Sequence, residues 1–121
     1  AVAIGRVRRA LPEASILVMA PMDRGVRLPD GSVGTLPSIR RLVAAQRRIA
    51  RENGCAFYDT FAAMGGEGTM GRWYDSEPRL VTGDFTHTTK AGSDRVARLL
   101  VGALRAARAV SPPRAAEPPP S

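Results

Sequence analysis

The sequence predicts an α/β domain with parallel strands, and three observations carry that expectation. Short apolar runs alternate with amphipathic stretches in the order helix, strand, helix, strand, long loop, helix, which argues for a parallel sheet with helices on its faces. Two stretches, about residues 39–53 and 90–107, set apolar residues at i, i+3, i+4 spacing with arginines opposite. Only two strand-like runs occur, whereas open α/β sheets ordinarily hold about four to six. The chain therefore reads as the back half of a larger domain.

The elements follow in order. Ala1 to Ala10 reads as the end of a helix with Val2, Ile4 and Val7 apolar, stopped at Leu11-Pro12, because the residue before proline is pushed out of the helical region. Ser15-Ile16-Leu17-Val18-Met19-Ala20 is a continuous apolar run ahead of Pro21, as expected of a buried parallel strand. Met22 to Leu36, with three glycines and Pro29, reads as a loop leaving the strand's C-terminal end. Ser38 stands near the start of the clearest helix, whose apolar face is Ile39, Leu42, Val43, Gln46, Ile49 and Ala50 and whose stop is Asn53-Gly54. Cys55 to Asp59 reads as a second strand, followed by a short helix through Met64 and a glycine-dense loop from Gly65 to Gly71. The last helix starts near Lys90 to Ser93, presents Val96, Leu99, Leu100, Ala103, Leu104 and Ala107 on one face, and reaches about Ala107.

Composition bounds the rest. A chain of 121 residues allows one domain. Residues 109–121, with their proline runs, are assigned to a disordered tail, since proline suits neither a helix interior nor a central strand. The apolar fraction of 44% is near the globular norm, and no run approaches the roughly 18 apolar residues of a membrane span. The net charge of +7 arises from 17 arginines and one lysine against 11 acids. Such an excess suits a nucleic-acid surface, but the arginines spread along whole helices and aromatic stacking residues are few, which argues against that partner. One cysteine and one histidine cannot assemble a four-ligand zinc site. The sequence opens at Ala1 without a methionine or a charged-then-apolar signal pattern, and is expected to begin partway through a longer chain.

The single histidine lies in Gly83-Asp84-Phe85-Thr86-His87-Thr88-Thr89-Lys90-Ala91-Gly92, on the loop entering the last helix. Histidine moves protons near neutral pH, and works best where a carboxylate fixes its tautomer. Asp84 lies three residues upstream, a spacing that a tight turn closes into a hydrogen bond. The pair reads as an acid–base dyad, or as a loop histidine beside an aspartate that caps the turn. Asp23 and Arg24 follow the first strand, where α/β proteins form their substrate crevice; they are candidates for substrate binding, or for bracing the loop through an ion pair. Gly65 to Gly71 lacks the Gly-Lys-Ser/Thr ending of a phosphate loop, leaving a mobile loop at the pocket edge. Cys55 reads as a small buried apolar residue. Trp73 and Tyr74 would stack on a sugar ring or fill a gap beneath the loop.

The Asp-x-x-His run, followed by an amphipathic C-terminal helix, resembles the closing block of the SGNH/GDSL hydrolases. Met19-Ala20-Pro21-Met22-Asp23-Arg24-Gly25, and Phe57-Tyr58-Asp59 through Met64-Gly65-Gly66 and Gly68-Thr69-Met70 to Trp73, resemble the branch of peptidoglycan and polysaccharide O-acetylesterases. The resemblance covers nearly all of Ala1 to Ala107. It implies a partial three-layer α/β/α, flavodoxin-like fold, with residues 1–108 as the C-terminal part of the domain. It further implies hydrolysis of carboxylic esters, with Asp84 and His87 as two members of a Ser-His-Asp triad and an acetylated carbohydrate among the possible substrates. That chemistry requires neither metal nor organic cofactor, and the family implies an exported or periplasmic enzyme.

The chain departs from the family where the nucleophile should be. No serine among Ser15, Ser32, Ser38, Ser76, Ser93, Ser111 and Ser121 stands in a Gly-Asp-Ser or Gly-x-Ser-x-Gly setting, and no Gly-x-Asn precedes the first strand. The serine and the oxyanion-hole donors are expected in a missing N-terminal half, without which the chain is inactive and exposes apolar faces. The other reading is a non-catalytic basic α/β module that binds an anionic polymer such as nucleic acid.

Overall fold

The computed structural model describes residues 1–110; the remainder of the expected tail, 111–121, lies outside the described residues. The elements are α1 (Val2–Ala10), β1 (Leu17–Met19), β2 (Gly25–Arg27), β3 (Val33–Thr35), α2 (Pro37–Glu52), β4 (Ala56–Tyr58), α3 (Thr60–Met64), α4 (Thr69–Tyr74) and α5 (Lys90–Val110). β1 and β4 pair in parallel, with Leu17 opposite Ala56 and Met19 opposite Tyr58. A parallel pair requires a crossover, and α2 supplies it. The α/β class with parallel strands is the observed one.

α2 forms because its apolar residues recur on one face. Ile39, Val43 and Ala50 are its buried positions, and Ile39 and Val43 join Ala20, with Leu36, Phe57 and Phe61 against them. Pro37 opens the helix at its first turn and Leu36 occupies the capping position, so Ser38 does not cap it. Asp59 caps α3, accepting Ala62 N at 2.9 Å, and pairs with Arg47 at 2.7 Å. The larger core cluster holds Met64, Met70, Trp73, Leu80 and Val81, with Val96 and Leu99 of α5 packed on it. Each such buried side chain contributes about 1.5–3 kcal/mol.

Four readings of the sequence need correction. Met22 to Leu36 is not simply a loop: β2 and β3 pair antiparallel within it, Gly25 opposite Thr35. The hairpin turns at Pro29-Asp30-Gly31, where Asp30 Oδ1 accepts from Ser32 N and Oγ at 3.0 and 2.6 Å. The glycine-dense loop ends in a helix at Thr69, and Thr69 and Met70 are fully buried. Asp23 explains why: its Oδ2 accepts Met70 N at 3.0 Å and so anchors the first turn of α4. The first strand is shorter than Ser15–Ala20, and Leu17 and Met19 are 39% and 42% exposed. Strand side chains alternate between faces; the face bearing Phe57 meets α2, while Leu17 and Met19 stand on the open one. Finally, α5 runs past Ala107 to Val110, two residues into the stretch assigned to the tail.

Candidate active site

The loop from Thr82 to His87 is closed at its base. Val81, fully buried, forms an antiparallel bridge with Thr88, and Leu80 O accepts Thr89 N at 3.0 Å. Thr89 Oγ1 donates to Arg79 O at 2.7 Å and accepts Gly92 N at 3.2 Å, which fastens the start of α5 to the same point. The buried pair Leu80–Val81 thus anchors both ends of the loop to the core.

Inside that frame the structure brings Asp84 and His87 together. Asp84 Oδ2 accepts from His87 Nδ1 at 2.5 Å. Asp84 Oδ1 accepts three further donors: Thr82 Oγ1 at 2.7 Å, Thr86 N at 2.9 Å and His87 N at 3.0 Å. With Nδ1 donating to a carboxylate, the ring carries its proton on Nδ1 and leaves a lone pair on Nε2. No described residue hydrogen-bonds Nε2, and the His87 side chain is 77% exposed. An oriented imidazole with a free Nε2 lone pair can accept a proton from a hydroxyl brought to it.

The carboxyl of Asp84 is held well below the ordinary value of 3.8, first by the Thr82 hydroxyl, then by the His87 ring and the His87 and Thr86 amides. A depressed carboxyl binds fewer protons folded than unfolded, so its contribution is present above about pH 4 and is lost as acid protonates the folded form. Carbon-13 titration of the Asp84 carboxyl should therefore give a midpoint below 3.8. A midpoint at or above that value would mean that the hydrogen bonds do not persist in solution.

Phe85 sits between the two residues with φ 55°, a left-handed conformation that costs a non-glycine residue about 1–2 kcal/mol. Its contacts explain how it is held. Gly25 N donates to Phe85 O at 2.8 Å, the Tyr74 ring meets Phe85 edge-on at 5.0 Å, and the Arg27 guanidinium lies 5.4 Å from its centroid. A Cβ on Gly25 would fall 2.6 Å from Phe85 Cβ, so only glycine lets β2 reach the loop. Beside Phe85, a cleft of about 420 Å³ opens between the hairpin and α4, walled by Arg27, Val33, Tyr74 and Asp75.

Asp23 and Arg24 are not part of this cluster. Asp23 is 2% exposed; its side chain turns inward to accept Met70 N, its backbone N–H donates to Met64 Sδ, and Oδ1 has no partner among the described residues. Arg24 is exposed, and among the described residues the two form no ion pair with each other. The serine hydroxyls that have partners bond elsewhere: Ser32 to Asp30, Ser76 to Trp73 O and Pro78 O, and Ser93 to Thr88. Cys55 is half-buried just outside β4. Trp73 is a core residue, whereas Tyr74 reaches the cleft. Several arginines have partners within the fold: Arg40 with Glu67, Arg47 with Asp59, Arg72 with Gly65 O and Glu67 O, and Arg79 over Tyr74. Among the described residues no three His, Cys, Asp or Glu side chains gather as a metal-binding set, and no helix is long and apolar enough to cross a membrane. Thr82 is the site residue that sequence reasoning missed. Its signal was a hydroxyl two positions before Asp84, across Gly83.

No protein-family model matches the chain, and no curated protein matches it by sequence. Among solved structures, a peptidoglycan O-acetylesterase superposes with a TM-score of 0.80 at 23% identity, covering 91% of this chain and 31% of that one. The esterase domain of the ZfL2-1 ORF1 protein, from a zebrafish retrotransposon, superposes with a TM-score of 0.56 at 20% identity, covering 87% of this chain and 54% of that domain. The chain thus spans about a third and about half of the structures it resembles. At these identities the likeness is one of fold, and the fold of this chain is the α/β fold of those esterases.

Proposed function

We propose that this chain is the C-terminal part of a serine esterase of the SGNH/GDSL type, and that Asp84 and His87 are two members of its catalytic triad. The observation that carries the reading is the Asp84–His87 hydrogen bond, which leaves Nε2 without a partner among the described residues on a largely exposed side chain. The shared esterase fold supports it. On this reading the nucleophilic serine and the oxyanion donors are supplied by residues outside this sequence.

In this mechanism Nε2 takes the serine proton as the serine oxygen adds to the ester carbonyl. Asp84 stabilises the resulting imidazolium without itself being protonated. The imidazolium then protonates the departing alcohol, leaving an acyl-serine. Water, deprotonated by the same Nε2, releases the carboxylic acid and restores the serine. The substrate class proposed is the carboxylic ester, with O-acetyl groups on carbohydrate favoured by the branch that the sequence resembles. The cleft beside Phe85 is a candidate seat for the alcohol half.

The test uses the full product of the reading frame with p-nitrophenyl acetate. His87→Ala is expected to lower kcat by about 10³-fold or more. Equal turnover in wild type and variant would remove the role given to His87. Steeply salt-dependent binding of DNA or RNA without esterase activity would favour the basic binding module instead.

A further inference from the structure

We propose that Thr82 is a positioning residue of the dyad, donating its hydroxyl to Asp84 Oδ1 so that Oδ2 is reserved for His87 Nδ1. A carboxylate offers two oxygens and about four lone-pair sites, and an exposed one can rotate and exchange its partners with water. Asp84 is half exposed, so burial does not hold it. Its orientation depends on what donates to it. Of the three donors on Oδ1, two are backbone amides supplied by the turn itself, from Thr86 and His87. The third is the Thr82 hydroxyl at 2.7 Å, among the described residues the only side chain besides His87 that reaches the carboxylate.

Thr82 is itself fixed for this purpose. Its N–H donates to His87 O at 2.8 Å, and its carbonyl accepts Phe85 N at 3.0 Å. Backbone and side chain of one residue therefore touch Asp84, Phe85 and His87 together. The same hydroxyl is the foremost of the contacts that keep Asp84 ionised. Because the bond at Nδ1 sets which ring nitrogen carries the proton, a carboxylate free to turn would let the ring populate the Nε2–H tautomer, in which no base faces outward.

The role rests on the reading of His87 as general base, so two measurements separate the failures. His87 is the only histidine of the sequence, and its ring nitrogen-15 shifts report the tautomer without reference to any reaction. Wild type and Thr82→Ser are expected to show the Nδ1–H tautomer, and Thr82→Val a mixture. Thr82 lies on the surface, and Thr82→Ala serves as a second hydroxyl-free variant with the same expected shift. Unchanged ring shifts in both hydroxyl-free variants would overturn the proposal. In the full reading-frame product, Thr82→Val should lower kcat about 10–100-fold, the scale of losing one hydrogen bond to a charged group, with KM nearly unchanged. Thr82→Ser should retain most of the activity. An equal loss in both, or no loss in Thr82→Val where His87→Ala is inactive, would also overturn it. Unchanged activity in His87→Ala instead removes the reading of the dyad, and leaves the tautomer measurement to decide what Thr82 does.

Discussion

Asp84→Asn is expected to lower kcat of the full reading-frame product about 10⁴-fold while leaving the fold in place. The argument turns on which atom of the new amide goes where. Position Oδ1 receives three donors, from Thr82, Thr86 and His87, so the amide oxygen belongs there. The amide nitrogen then faces His87 Nδ1, where the carboxylate oxygen had accepted. Two donors cannot share that contact, and Nδ1 must become the acceptor. The ring proton moves to Nε2, and the base is blocked at the one atom that faces outward. Asparagine has nearly the volume of aspartate and keeps the three hydrogen bonds of the turn, so circular dichroism should change little. Activity within about tenfold of wild type would contradict the proposed general-base role, since the wrong tautomer alone accounts for most of the loss.

Gly92→Ala should destabilise the chain, against the usual direction of that change in a helix. Alanine in place of glycine ordinarily gains about 1 kcal/mol inside a helix. Here a Cβ would lie 1.9 Å from Leu80 O, 2.9 Å from Leu80 C and 3.1 Å from Thr88 Cβ. The first contact is backbone, and that carbonyl already accepts Thr89 N, so it cannot simply rotate away. Gly92 is the one buried residue of α5, and the helix must lift from Leu80. Overpacking of this kind costs about 3 kcal/mol, which for a domain of this size lowers Tm by roughly 10 °C. Gly102→Ala is the internal control, because among the described residues nothing lies within 4 Å of its Cβ position. It should be neutral or stabilising. An unchanged Tm in Gly92→Ala would show that the helix accommodates the methyl group without cost. A displaced Leu80 also moves Val81 and its bridge to Thr88, so the loss should extend to the geometry of the dyad.

How far the sequence could be read depended on the range of the interactions involved. α2 was legible because its periodicity is a local pattern, and the Asp84–His87 contact because three residues of spacing close into one turn. α4 was not. Its composition is that of a loop, and its first turn is held by Asp23, 47 residues away from Met70. The hairpin carried a visible turn in Pro29-Asp30-Gly31, yet strands of three residues are too short to display alternation. Ser15 to Ala20 looked buried on both faces because it is continuously apolar, but only the face toward α2 is covered among the described residues. The place of Asp23 at a strand end is visible in the sequence, but its burial and its bond to α4 depend on chain contacts that no local pattern reveals. Gly92 closes the run that holds Asp84 and His87, although the reason for a glycine there is a carbonyl twelve positions earlier.

The closed loop from Thr82 to His87 has a kinetic consequence. Among the described residues, every hydrogen bond to the Asp84 carboxylate or the His87 ring comes from within six consecutive residues. Closing so short a segment loses little chain entropy, and contacts of such small sequence separation form early in folding. The bonds of Asp84 and His87 therefore close locally, whereas the left-handed Phe85 between the two residues is held by Gly25, far away in sequence, and awaits the hairpin. On the proposed function, a serine brought to His87 would meet a ring oriented by its own loop once the hairpin has docked on Phe85.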